Sequence, residues 1–149
     1  MKFELNGPRL NGLCSMIDRL EGDPTRVQRR TIIGLAEECL PKWVVTDLFL
    51  AIGCGGALSQ PGAAHALLDH LLPAATYRAW SETTGRGRLH WARLGMNVNG
   101  ELRNVEAREK RSPGLALTVA TMAMLASLAH RGQTELEVEV PRVGVPTMS

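Results

Sequence analysis

The sequence predicts an α+β fold, in which an antiparallel three-stranded meander is covered by helices. Two changes in the spacing of apolar residues carry this prediction. Up to Pro73 the apolar residues recur at the helical period of about 3.6, and from Thr76 the period becomes about 2. At Ser112 a long apolar run of helical composition begins. Helices, then strands, then a helix is an order typical of an α+β domain.

Three short alternating segments form the predicted meander, TYRAWSE, RLHWARLGM and ELRNVEAREK, joined by GRG and NVNG. Asn and Gly accept a positive φ, so NVNG is a good hairpin turn. In the middle strand Leu89 and Trp91 point to one side, whereas Ala92, Leu94 and Met96 point to the other. Both sides are largely apolar, so helix layers are expected above and below the sheet, as in an α-β-α sandwich.

Four helices are predicted before the sheet. Asp23 is the predicted N-cap of the second helix, and Val27 is placed on its buried side with the apolar residues that follow. The fourth helix is predicted to start from Ser59, after a glycine-rich break at Gly53–Gly56. The predicted ranges are 9–21, 24–40, 43–53 and 60–72.

A fifth helix is predicted after the sheet, over residues 113–130. Ser112 is its N-cap, Pro113 stands at its first position, and Gly132 ends it. Leucines, methionines and alanines make this helix apolar almost all the way round. It is therefore predicted to be buried rather than displayed on the surface.

The tail segment TELEVEV has the alternation of a strand. Leu136, Val138 and Val140 alternate with glutamates, which predicts one apolar face and one acidic, solvated face. This strand is expected to extend the meander as a fourth strand, or to pair with a partner chain.

Length and composition indicate a globular chain with one domain. The 149 residues are 44% hydrophobic and 21% charged, which is enough for one buried core. Residues 1–132 are predicted as a single domain with a helical part (8–73) and a sheet-plus-helix part (76–131), followed by a strand and extended arm (133–149). The net charge of +2 is too small to indicate a polyanionic partner by itself.

Cysteine usage and hydropathy indicate a soluble, cytoplasmic protein. The three cysteines include no C-x-x-C pair, which argues against a zinc ribbon and against a redox dithiol. The first residues, MKFELNGPRL, lack the apolar core of a signal peptide. The longest apolar run contains Asp47 and glycines and is shorter than a bilayer span of about 20 residues. No membrane partner is expected.

Three features suggest chemistry, and each has a simpler structural explanation. His65 and Asp69 share a helix face beside His70, but a metal site needs a further ligand that the sequence does not nominate. Gly53–Gly56 lacks the lysine and hydroxyl of a P-loop, and Cys54 needs a neighbouring base to act as a nucleophile. No metal, no cofactor and no enzymatic activity are therefore expected.

Positive charge is concentrated in the meander and at its exit, close to Trp80 and Trp91. This combination makes a nucleic-acid surface one alternative. Interleaved glutamates favour a solvated sheet face of mixed charge instead. The basic residues concerned are Arg86, Arg88, Arg93, Arg103, Arg108, Lys110 and Arg111.

Four segments carry a family resemblance: LCSMIDRLEG, LLDHLLPAATYRAW, RLHWARLGMNVNGELRN and RSPGLALTVATMAMLASLA. In this order the chain resembles small phage and prophage proteins that are described as having an α-β-α (ABA) sandwich domain. The resemblance covers residues 59–131 and, loosely, 10–22. It implies an α-β-α architecture and no established enzyme activity. The chain departs from the family in Trp43–Gly56 and in the tail after Gly132.

The expected function follows from this resemblance and from the lack of catalytic signatures. We expect a small phage- or prophage-encoded accessory protein that binds a host protein stoichiometrically and inhibits a defence or regulatory factor. Two alternatives stay open: a nucleic-acid-associated phage protein, and an assembly component that self-associates as a homo-oligomer through its C-terminal strand. The predicted partner-binding residues are Arg86, Arg88, Arg93, Arg103, Leu136, Val138 and Val140.

Overall fold

A computed structural model describes residues 2–21, 24–52 and 61–138 of the chain. Within these ranges the elements, in chain order, are β1 (Lys2–Glu4), α1 (Gly7–Asp18), α2 (Arg26–Cys39), α3 (Lys42–Ala51), α4 (Pro61–Leu71), β2 (Thr76–Thr84), β3 (Gly87–Val98), β4 (Glu101–Lys110), α5 (Pro113–His130) and β5 (Glu135–Glu137). The predicted α+β class is confirmed. Three strands form one antiparallel sheet in the order β2-β3-β4, and β1 and β5 form a second, smaller sheet.

The predicted meander is confirmed, including its second turn. Between β3 and β4, Asn99 has φ 53° and Gly100 has φ 81°, the left-handed conformation that these two residue types accept most readily. The register of β2 on β3 runs without interruption from Thr76 opposite Gly95 to Thr84 opposite Gly87.

Helix α5 is the centre of the core, as its composition predicts. It contacts β3 and β4 as well as α1 and α4, and twelve of its residues are buried. The hydroxyls of Thr118 and Thr121 are fully buried and donate to the carbonyls of Gly114 and Leu117, so these polar atoms are satisfied. By length and composition α5 could cross a membrane, but 67% of the helix is buried inside the fold. It is packed as a core helix.

Helices α1, α2 and α5 start at side-chain caps, and one predicted cap is wrong. Asn6 caps α1 and Ser112 caps α5, each accepting from the backbone N–H three residues later. The N-cap of α2 is Thr25 and not Asp23. Thr25 and Gln28 form a reciprocal capping box, in which each side chain accepts from the other residue's backbone N–H. This box satisfies two backbone donors, which moves the helix start to Arg26.

The predicted burial of Val27 is also wrong, since this side chain is 75% exposed. Helix α2 packs through Ile32, Ala36 and Cys39, which repeat at helical spacing. Val27 precedes Ile32 by five residues, and this offset turns it well away from the packed face.

The tail strand does not join the meander. Strand β5 pairs antiparallel with β1, with Phe3 opposite Leu136, and the N–H of Leu5 donates to the carbonyl of Thr134 at 2.8 Å. Of the two alternatives for the tail strand, the one that adds a fourth strand to the meander is therefore wrong. The chain reverses after α5 at Gly132, whose φ is +94°, and this reversal brings β5 beside the segment that leads into α1.

Only one face of the meander is covered by helices in the described residues. On that face Ala92, Leu94 and Ala107 are buried against the core. On the other face Arg78 and Arg93 are exposed. The helix layer expected on this second face is not found among residues 2–21, 24–52 and 61–138.

Candidate functional site

The candidate site is the uncovered side of the meander, here called the open face. Directly opposed residues of antiparallel strands share a face, and alternate residues of one strand share a face. The register therefore assigns the members of the open face. They are Thr76, Arg78, Trp80, Glu82, Leu89, Trp91, Arg93, Gly95, Asn97, Leu102, Asn104 and Glu106, of which Leu89 is buried.

Two tryptophans form the apolar centre of the open face. Trp80 and Trp91 lie directly opposite each other, and their rings stack with centroids 6.3 Å apart at an interplanar angle of 9°. The guanidinium carbon of Arg78 lies 5.9 Å from the Trp80 ring centroid, within range of a cation–π contact. Stacked aromatic side chains lose little further entropy when a partner covers them, so this pair is a pre-organised contact point.

Two guanidinium groups face each other beside the tryptophans. Arg78 lies directly opposite Arg93, which lies opposite Glu106 on its other side. Glu106 is not seen in an ion pair with Arg93; its Oε1 accepts from Nε of Arg108 at 2.7 Å. Among the described residues Arg93 has no ion pair. Like charges placed opposite each other destabilise a sheet, so an anionic group from outside the chain would be stabilised here.

Leu102 extends the open face with an exposed apolar side chain. It lies opposite Asn97 near the second hairpin turn, and it is 62% exposed. With the tryptophans it gives the face an apolar surface next to its positive charge.

The four predicted sheet arginines do not form one cluster. Arg93 lies on the open face. Arg88 is exposed at the start of β3, on the same side as Ala92 and away from Arg93. Arg86 lies in the first hairpin turn, where Nη2 donates to Oε2 of Glu109 at 2.6 Å.

Arg103 belongs to the covered side of the sheet. It lies opposite Met96, and its side chain is only 11% exposed. Its Nη2 donates to Oε2 of Glu101 at 3.2 Å. Arg103 therefore presents little surface to a partner, in contrast to the role predicted for it.

Two of the three tail residues proposed for partner binding are buried. Leu136 is 7% exposed and Val138 is 3% exposed, and both belong to the main hydrophobic core. Burial of these two side chains contradicts their predicted role as a docking surface. Val140 lies outside the described residues.

The predicted metal and nucleophile candidates have structural roles or lie outside the described residues. His65 packs edge-on against Tyr77 with ring centroids 5.0 Å apart, and Nδ1 of His70 lies 3.3 Å from Oδ2 of Asp47. Within the described part of the chain, no three His, Cys, Asp or Glu side chains group as a metal site would require. Cys54 and the surrounding glycines are not among the described residues.

Of the two described cysteines, Cys14 is partly buried and Cys39 is buried. Burial raises the pKa of Cys14 and of Cys39 to about 11. Nucleophilic cysteines have a lowered pKa, since the thiolate is the reactive form. Cys14 and Cys39 therefore act as core residues.

A serine–histidine pair that the sequence analysis missed spans β2 and β3. Ser81 Oγ lies 2.6 Å from Nδ1 of His90, and the two residues are directly opposed. Burial, and then the charge of Arg88, lower the pKa of His90, which favours a neutral ring that accepts from the hydroxyl. Among the described residues no carboxylate or carbonyl holds the other ring nitrogen, so the third member of a catalytic triad is missing.

Arg78 and Glu82 are charged open-face residues that the sequence analysis did not nominate, and they alternate with Trp80 along β2. Their alternation in TYRAWSE, counted from a strand register set by the hairpin turns, is the signal that identifies them.

Comparisons of this chain with family models, with curated proteins and with solved structures found no match. The resemblance to ABA sandwich proteins therefore stays a prediction from the sequence. A function has to be argued from the geometry of the open face.

Proposed function

We propose that this protein is a phage- or prophage-encoded accessory protein of the bacterial cytoplasm that acts by stoichiometric binding of a host protein. The open face is the surface that binds. The observation that carries this proposal is the position of Arg93, an exposed guanidinium without an ion pair among the described residues, beside the Trp80–Trp91 stack. The phage origin, and a defence or regulatory factor as the target, rest on the sequence resemblance.

The composition of the open face supports binding of a protein. Tryptophan and arginine are the residue types that contribute most to binding energy at protein interfaces. The face combines two of each, and Leu102 adds exposed apolar area. An uncovered apolar surface of this kind is typical of an interaction site.

The chemistry of the face favours an acidic partner. Arg78 and Arg93 repel each other where they stand, and a carboxylate placed between them would reduce this repulsion. The partner surface that fits best presents Asp or Glu next to an apolar side chain that covers the tryptophans. Charge complementarity of this kind increases both specificity and the rate of association.

A non-enzymatic role is supported by the described side chains. The thiols of Cys14 and Cys39 have a raised pKa, and no third group within residues 2–21, 24–52 and 61–138 orients the Ser81–His90 pair. Neither arrangement has the features that activate a nucleophile.

The test is an affinity capture of the tagged protein from nuclease-treated bacterial lysate at moderate salt, read by mass spectrometry. The Arg93→Glu, Leu102→Asp double variant is expected to weaken binding of the captured protein by at least about tenfold, or about 1.4 kcal/mol. Arg30→Glu is the matched control, because Arg30 is exposed on α2, a helix that packs mainly against α1 and α3. Equal capture by the double variant and the control would contradict the assignment of the open face.

A nucleic-acid surface is the second candidate, and the same face carries it. Arg78, Arg93 and the two tryptophans are also the residue types that hold single strands, through phosphate contacts and base stacking. This alternative predicts binding of a labelled oligonucleotide with an affinity that falls steeply as salt is raised. Protein capture that survives nuclease treatment favours the first proposal.

A further inference from the structure

The two edges of the meander differ in how well they are protected against pairing. Strand β4 carries six charged residues among its ten, and its register on β3 is interrupted next to Glu109, a residue with φ +57°. Edge charges and bulges prevent an edge strand from pairing with another chain. Strand β2 has nine residues, of which only Arg78 and Glu82 are charged, and its register has no interruption. Its outer edge has no strand partner among the described residues.

We propose that β2 pairs antiparallel with β2 of a second copy of this chain, across a two-fold axis at Trp80. In this register Trp80 lies opposite Trp80 of the second copy, Arg78 lies opposite Glu82, and Thr76 lies opposite Thr84. The result is a continuous six-stranded sheet with an isologous interface. The inference is independent of the proposed host-binding function.

Charge complementarity selects this occupant and this register. Arg78 and Glu82 are exposed on the open face, and neither has an ion pair among the described residues. Within one chain Arg78 lies opposite Arg93, so one side of its guanidinium already faces a like charge. Pairing centred on Trp80 places Glu82 of the second copy on its other side, and the two-fold axis repeats the contact. Opposite charges directly across a strand pair stabilise it.

Neighbouring registers lose these contacts. An axis at Ala79 places Arg78 opposite Trp80, and an axis at Ser81 places Arg78 opposite Thr84. Neither register sets an arginine against a glutamate. Only the axis at Trp80 forms two symmetric Arg78–Glu82 pairs.

The same register joins the aromatic centres of the two copies. Trp80 already stacks with Trp91, at a centroid distance of 6.3 Å. Placing Trp80 beside its symmetry mate makes one row of four tryptophans across the extended open face. Cross-strand aromatic pairs are among the stabilising contacts of a sheet.

The test is the mass of the full chain in solution, measured by light scattering and sedimentation equilibrium from micromolar to millimolar concentration. The unmodified chain is expected to reach twice the single-chain mass of 16.2 kDa as concentration rises. A mass that stays at 16.2 kDa throughout this range would overturn the proposal.

Charge reversal tests the register. Arg78→Glu sets glutamate against Glu82 of the second copy, and Glu82→Arg sets arginine against Arg78, so each single variant is expected to stay at the single-chain mass. Mixing the two variants in equal amounts restores both Arg–Glu pairs and is expected to restore the doubled mass. The double variant Arg78→Glu, Glu82→Arg is expected to dimerise as well.

Recovery on mixing also shows that both single variants are folded. Arg30→Glu on α2 is the control, and it is expected to keep the doubled mass. Single variants that dimerise like the unmodified chain, or a mixture that stays at the single-chain mass, would overturn the register.

Discussion

Lys110, the last residue of β4, reaches Asp18 at the C-terminal end of α1. Its Nζ donates to the main-chain carbonyl of Asp18 at 2.7 Å and forms an ion pair with the Asp18 carboxylate. The Lys110 side chain is only 11% exposed. One ammonium group thus connects the first helix to the far end of the sheet, and it also neutralises carbonyl charge at the helix terminus.

Replacing Lys110 with methionine is expected to lower the free energy of unfolding by about 1–2 kcal/mol, since a charge-assisted hydrogen bond in a shielded position is lost. Chemical denaturation measures this change. Arg108→Met is the control, because Arg108 is 75% exposed in its pair with Glu106, and exposed pairs contribute less than about 1 kcal/mol. Equal destabilisation by the two variants would contradict a special role for the Lys110 contact.

The stacked tryptophans are expected to be energetically coupled. A double-mutant cycle of Trp80→Ala and Trp91→Ala should give a coupling energy of about 0.5–1.5 kcal/mol, the usual value for an aromatic pair. Denaturation of the four proteins at equal, low concentration measures it. A cycle of Trp80→Ala with Trp43→Ala on α3 is the control and should be additive within about 0.5 kcal/mol.

The free energy of unfolding is expected to decrease as the pH is lowered, because of His90. Burial and the charge of Arg88 lower the pKa of His90 below its ordinary value of 6.5. As the pH falls below 6.5, the unfolded chain takes up this proton before the folded chain does, and unfolding becomes easier until the lowered pKa is passed. His90→Gln should reduce the slope of stability against pH in this window. His130→Gln, an exposed control at the end of α5, should follow the unmodified chain.

The capping box at the start of α2 is expected to contribute measurable stability. Thr25→Ala removes the side-chain oxygen that accepts from the Gln28 N–H at 3.1 Å, and it should cost about 1 kcal/mol. Thr31→Ala is the control in the same helix, since the Thr31 hydroxyl only donates to a carbonyl within the helix. A thermal melt in which Thr31→Ala is the more damaging change would contradict this assignment.

Local signals predicted most of the elements within about two residues of their bounds. Ser112 and Pro113 start α5 because a cap and a first-turn proline act within one turn. The hairpin turn at Asn99 and Gly100 depends only on the conformations open to these two residues. Thr25 was missed because Asp23 also fits the pattern of a cap, and the choice depends on whether Gln28 can return the hydrogen bond.

The candidate site was predicted only in part. Arg93 was nominated from its charge, but Arg78, which lies directly opposite, was not. Arg103 was nominated on the same grounds and lies on the covered side of the sheet. Charge along the chain does not reveal the face on which a side chain lies, because a shift of the strand register by one residue moves each side chain to the opposite face.

The sequence by itself determined the α+β class, the meander, its turns and the buried character of α5, because periodicity, caps and turn residues act between near neighbours. Only the tertiary structure decided that β5 pairs with β1, that Leu136 and Val138 are buried, and that Arg78 faces Arg93. Phe3 and Leu136 meet from opposite ends of the chain, and a contact of this kind depends on how the whole core packs. The open face and its unprotected edge follow from the same packing, since α5 covers one side of the sheet and not the other.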